Sequence, residues 1–138
     1  MALIIDTGPL YASLDRHDRD HKRCRRLIEA ADEELVIPQP VLPEVDYLVS
    51  TRMGPGPMVA LLRDIEAGAY RVDPIVRDEY PRIREIMDRY SDADIGFVDA
   101  SVLVLAERLR EPKIATLDRK HFSLVRPVHV EALEILPA

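Results

Sequence analysis

Short apolar runs alternate with stretches of helical periodicity along the whole chain. Residues 2–5 (Ala-Leu-Ile-Ile) halt at Asp6-Thr7-Gly8-Pro9, the pattern of a buried strand ending in a turn. Cys24, Leu27, Ile28 and Ala31 recur at i, i+3, i+4 and i+7, which predicts an amphipathic helix over about residues 18–31. Leu35–Pro38 reads as a second strand. Val41, Val45, Leu48 and Val49 then mark a helix that Gly54-Pro55-Gly56-Pro57 interrupts. A helix from about Met58 to Ala67, a strand near Tyr70–Val72 and a helix over Ile75–Tyr90 follow. Beyond the acidic segment Ser91-Asp92-Ala93-Asp94 comes a helix at Phe97–Leu109 that is apolar nearly all round. Strands are expected at Lys113–Leu117 and Leu133–Leu136.

Strands separated by helices of this length imply an α/β fold, a mainly parallel sheet with helices on both faces. With no internal repeat, low-complexity tract or shift in composition, residues 1–138 read as one domain. Apolar residues make up 47% and charged residues 32%, so a packed core is expected rather than disorder. Cys24 stands alone, which rules out an internal disulfide and suits a reducing cytoplasm. Residues 1–5 lack the basic leader and long apolar core of a signal peptide, and no run reaches the roughly 18 apolar residues of a membrane span.

Charge changes the picture. With 19 Lys and Arg against 25 Asp and Glu, the formal charge is −6, the wrong sign for a protein that binds nucleic acid through basic clusters alone. Aromatics are scarce, with no Trp and two Phe, so an aromatic stacking platform is also disfavoured. Excess acid gathered in one place and neutralised by bound cations would remove the conflict.

Four acids break the local hydrophobic logic. Asp6 and Asp118 each follow a strand, at the carboxyl edge where parallel sheets place ligands. Glu44 shares a helical row with Val41 and Leu48, so its carboxylate is expected along an apolar stripe, where an unpaired charge is costly. Asp99 opens the apolar helix, with Val102, Leu103 and Ala106 on its own side. Each has a structural explanation when taken singly: Asp6 as a helix cap, Asp99 as an acid near a helix N-terminus, Asp118 as a turn former. Clustered, they would repel one another and hold protons unless a hard divalent cation joined them, and magnesium or manganese favours such oxygen ligands. Such a metal can activate water for in-line attack on a phosphodiester, and a second ion about 3.5–4 Å away can share the work.

Around these acids, Thr7, Thr116 and Asp92 are candidates for orienting carboxylates or water, while Asp94 is expected to be solvated. Arg119, Lys120 and His121 are candidate RNA contacts, and Arg126 lies just beyond. His17, His21 and Cys24 share a helical face but lack an evident fourth ligand for zinc. The basic run Lys22–Arg26 reads as a solvated face. No GxGxxG, phosphate-binding GK[ST] loop or serine elbow is present, which leaves nucleotide cofactors and acyl transfer unsupported.

At these residues the chain resembles the PIN-domain ribonucleases, specifically the VapC-like toxins of type II toxin–antitoxin systems. The segments LIIDTGPLYASLD, VLPEVDYLV, YSDADIGFVDASVLVLAERL and IATLDRKHFSLVRP carry the resemblance in order along nearly the whole chain. It implies a three-layer α/β/α sandwich and a catalytic cluster at Asp6, Glu44, Asp99 and Asp118, with Asp6 and Asp99 as magnesium ligands. It further implies a metal-dependent endoribonuclease that cuts structured RNA such as tRNA or rRNA and leaves 5′-phosphate and 3′-hydroxyl ends. A homodimer silenced by a cognate VapB-like antitoxin completes the expectation. Two positions depart from the family pattern. Pro43 precedes Glu44, for which an early helix start is expected, and Asp94 stands where proline is common. A receiver-like phosphoacceptor domain shares the strand-end acids, but it would need a Lys ending a late strand, whereas Lys113 begins one. A catalytically silent RNA-binding relative is the remaining alternative.

Overall fold

A computed structural model describes residues 1–138. The apolar run Ala2–Ile5 forms strand β1, buried along its full length. Helix α1 (Thr7–Leu14) and helix α2 (His21–Ala30) follow, then β2 (Glu34–Pro38), α3 (Val41–Met53), α4 (Gly56–Glu66) and β3 (Arg71–Asp73). A short 3-10 turn at Arg77–Glu79 leads into α5 (Tyr80–Arg89), and another at Ser91–Ala93 precedes α6 (Phe97–Leu109). The chain ends with β4 (Lys113–Ala115), α7 (Arg119–Leu124) and β5 (Glu134–Leu136).

The five strands lie in the order β3-β2-β1-β4-β5 and every pairing is parallel. Register sets Leu3 beside Leu35 and Ile4 beside Ile114, so β1 is the central strand. Parallel strands cannot be joined by tight hairpins; helical crossovers cover both faces and give the three-layer α/β/α sandwich. Chain order reverses beside β1, between β2 on one flank and β4 on the other. That switch point opens a crevice at the carboxyl edge of the sheet.

Helix α6 explains why its sequence is apolar all round. Ala100 to Ala106 are buried without a break, and the helix packs against α5, β1 and β2. It ends at Arg110, whose φ of 55° is left-handed and cannot extend the helix.

Helix α7 was not anticipated, and α1 entered only through the reading of Asp6 as a helix cap, which the structure bears out. Thr-Gly-Pro after Asp6 reads as a turn, yet Pro9 falls in the first turn of α1, where the missing amide has no intrahelical partner to lose. Helix α7 is only six residues long and too short to show a period. The expected strand to Leu117 stops at Ala115, and the helix expected over Ile75–Tyr90 is regular only from Tyr80, with Pro81 in its first turn. Pro43 likewise sits in the first turn of α3, which starts early at Val41 as expected.

Candidate metal centre

Asp6 lies directly past β1 and keeps the sheet register by donating its amide to the Ala115 carbonyl at 2.9 Å. Its side chain is 5% exposed. Oδ1 accepts the Thr7 amide at 2.8 Å, capping α1, and Oδ2 accepts the Thr116 hydroxyl at 2.7 Å. Thr116, past the end of β4, also accepts the Asp118 amide on Oγ1 at 3.0 Å. One buried hydroxyl therefore sets the positions of two strand-end acids.

Asp118 caps α7. Its Oδ1 accepts the His121 amide at 3.0 Å, while Oδ2 lies 2.7 Å from His121 Nδ1. The same ring nitrogen is 3.5 Å from Asp99 Oδ2, at the N-terminal turn of α6. Asp99, Asp118 and His121 are thus a trio whose ligand atoms all lie within 4.8 Å of one another.

Glu44 is placed differently from its sequence expectation. The buried stripe of α3 is Val41, Val45 and Val49, at i, i+4 and i+8. Glu44 falls outside it and is exposed, so no burial penalty marks this acid. It is recruited by a contact instead: Thr7 Oγ1 donates to Glu44 Oε1 at 2.5 Å. A cavity of about 430 Å³ is lined by Asp6, Thr7, Gly8, Glu44, Asp99, Thr116, Leu117 and Asp118. All four acids share it.

Burial pushes the Asp6 carboxyl up from 3.8 to about 6, against hydrogen bonds from Thr116 and Thr7 that lower it; the charges of Asp99 and Glu44 raise it further. Asp99 is also raised, chiefly by burial and then by Asp118. The fold therefore sets one buried carboxyl, Asp6, against three acids that are partly or fully exposed. The donors around the cavity are carboxylate and hydroxyl oxygens, with the His121 imidazole beside two of the acids, a set that can hold a divalent cation.

Other sequence candidates fall elsewhere. Asp92 and Asp94 are exposed around the 3-10 turn and do not line the cavity. Asp94 has φ of 56°, which proline cannot adopt, so the departure from the family pattern follows a local backbone requirement. Arg119 donates to the carbonyls of Ile135 and Pro137, tying α7 to the end of the chain. Lys120 is exposed beside it. The face of His17, His21 and Cys24 does not converge on a metal: Cys24 is buried, and His21 Nδ1 meets the Ala12 carbonyl at 2.7 Å. The role of His121 as partner to two acids was not read from the sequence. Its signal is the Asp118-x-x-His121 spacing behind a strand, one helical turn apart.

The chain is similar to known proteins in sequence and in fold. The PIN domain family pattern matches residues 3–126. Ribonuclease VapC26 of Mycobacterium tuberculosis is 37% identical over 135 residues, spanning 98% of this chain and 100% of that protein. Among solved structures, VapC20 of Mycobacterium tuberculosis, a sarcin–ricin loop cleaving toxin, superposes with a TM-score of 0.81 at 22% identity, over 93% of this chain and 98% of that one. VapBC2 of Rickettsia felis, bound to promoter DNA, gives 0.69 at 18% identity over 98% of each chain. The acids at the β1/β4 switch point, the sheet order and these matches together place the chain in the PIN-domain family, among its VapC-like members.

Proposed function

We propose that this protein is a metal-dependent endoribonuclease toxin that hydrolyses phosphodiester bonds in structured RNA such as tRNA or rRNA, and that a cognate VapB-like antitoxin silences it in the cytoplasm. The convergence of Asp6, Glu44, Asp99 and Asp118 on one cavity carries the reading. The relative named a ribonuclease and the structural neighbour described as a toxin that cleaves the sarcin–ricin loop support the activity and the substrate class. In the PIN-like domain formed by residues 1–138, Asp6 and Asp99 hold magnesium or manganese, and Glu44 and Asp118 complete the acidic wall. When bound, the cation supplies Lewis acidity toward the scissile phosphate and its attacking water.

The chain's own residues do the positioning. Thr116 fixes Asp6 and the backbone of Asp118, and Thr7 holds Glu44 toward the cavity. His121 keeps the Asp118 carboxylate turned toward Asp99. Lys120 contacts phosphate near the cut, while Arg119 secures the segment that presents it. An exposed apolar face around Tyr80, Met87 and Phe97 is the surface on which two copies pair. An arginine-bearing antitoxin tail would enter the acidic cavity and compete there with the cation.

The test is cleavage of tRNA and rRNA fragments by purified protein, with magnesium or with chelator. Asp6→Asn and Asp99→Asn are expected to abolish cleavage and growth inhibition while circular dichroism stays unchanged. Full cleavage by either variant, or in chelator, refutes the metal-ligand assignment.

A further inference from the structure

The turn between α1 and α2, together with the start of α2, carries a charge opposite to that of the rest of the molecule. Residues 16–26 hold six of the 19 Lys and Arg but only two of the 25 acids, a local charge of +4 in a chain whose net charge is −6. The acids of this corner are committed inward. Asp15 accepts the Tyr11 hydroxyl and the His17 amide, and those bonds hold its carboxyl below the usual carboxylate range. Asp18 accepts the Asp20 amide, and Asp20 accepts Arg23. Arg16, Lys22 and Arg26 are exposed and make no salt bridge, while Arg19 is 91% exposed and reaches Asp20 only at 3.7 Å. Arg52, at the end of α3, lies over the Tyr11 ring at 5.1 Å and adds a fifth cation to the same corner. Carboxylates are spent on the turn, and cations are left facing solvent.

This corner is one short helix away from the acidic cavity: Thr7 lines that cavity, and α1 rises about 12 Å over its eight residues to the turn. Helix α1 starts immediately after Asp6, and α2 runs back to β2, which begins at the opposite edge. Lys22 and Arg26 are four residues apart on the outer face of α2, opposite buried Cys24 and Ile28.

We propose that Arg16, Arg19, Lys22 and Arg26, with Arg52, form a rim that binds the RNA phosphate backbone away from the scissile bond; the proposal rests on the nuclease reading of the neighbouring cavity. The rim supplies the positive surface that the acidic site lacks, and it holds the strand while the carboxylates act on it. Contact is with phosphate, so it is indifferent to sequence and sensitive to salt.

The experiment measures binding of a fluorescein-labelled RNA hairpin by anisotropy, in chelator, across a salt series. Three proteins are compared, each as the full chain. They are the wild type, the variant R16Q/R19Q/K22Q/R26Q, and R63Q/R77Q/R84Q/R110Q, which removes equal charge from exposed arginines elsewhere. The rim variant is expected to bind at least about tenfold more weakly at 0.1 M salt. Its slope of log Kd against log salt should be shallower by about 2, as losing roughly three phosphate contacts requires. The control variant should stay close to the wild type. Equal weakening of both variants, an unchanged rim variant, no RNA binding by the wild type, or tighter capture of polyglutamate than of RNA overturns the rim. The nuclease reading fails separately: rim-dependent binding without magnesium-dependent cleavage removes the activity and leaves the rim, and cleavage with an unaffected rim variant does the reverse.

Discussion

Asp6→Asn is expected to stabilise the metal-free protein at neutral pH, even though it removes a metal ligand. In the fold the Asp6 carboxyl is raised to about 6, whereas in the unfolded chain it has its ordinary value of 3.8. The folded state therefore binds this proton more tightly, and stability contributed by the neutral carboxyl is lost as pH rises from about 4 through 6. That difference corresponds to roughly 3 kcal/mol at pH 7. Asparagine keeps the shape and an acceptor for the Thr7 amide, and the Thr116 hydroxyl can rotate to accept from the new amide group. Urea unfolding of both proteins in chelator, at fixed ionic strength from pH 4 to 7.5, isolates the effect because most other titrating groups cancel in the difference. The variant should gain on the wild type across that range and hold the gain above pH 7. Magnesium at 100 times its Kd should then return about 2.7 kcal/mol to the wild type and little to the variant. A stability gap that is flat with pH, or that moves toward the wild type as pH rises, refutes the claim that the fold raises the Asp6 carboxyl.

Further predictions follow the same geometry. Thr116→Val removes the donor to Asp6 and the acceptor for the Asp118 amide, so manganese affinity measured by calorimetry should fall about 10–100-fold. His121→Ala should weaken that affinity about tenfold through loss of the Asp118 contact, and an unchanged value would show that the imidazole does not position Asp118. Leu103→Ala, at a side chain 1% exposed within α6, should cost about 2–5 kcal/mol in urea unfolding, whereas Leu62→Ala, 45% exposed, should cost less than about 0.5 kcal/mol.

Much of the fold was legible because its rules are local. The apolar runs at Ala2–Ile5 and Leu35–Pro38 fall on β1 and β2, and the nearly continuous apolar character of Phe97–Leu109 marks a helix covered on most sides. Helix α1 was legible only as the helix that Asp6 caps, because Thr-Gly-Pro has the composition of a turn, although proline is harmless in a first helical turn. In the site, Asp6 and Asp118 are visible as acids that end strands, which is a statement about one dimension. Glu44 was expected on the apolar stripe of α3 but lies outside it and is exposed, and it reaches the cavity because α1 packs on α3 and brings Thr7 to it.

By itself, then, the sequence determined most of the strands and the longer helices, the parallel α/β class and which acids end strands, since these follow from periodicity and chain chemistry over a few residues. The order of the strands, the shared cavity, the elevation of Asp6 and the pairing of His121 with Asp99 and Asp118 were decided by tertiary structure. They depend on distances between residues that can lie more than a hundred positions apart, as Asp6 and Thr116 do, and on exclusion of water from between them. Neither quantity is carried by any local window of the chain.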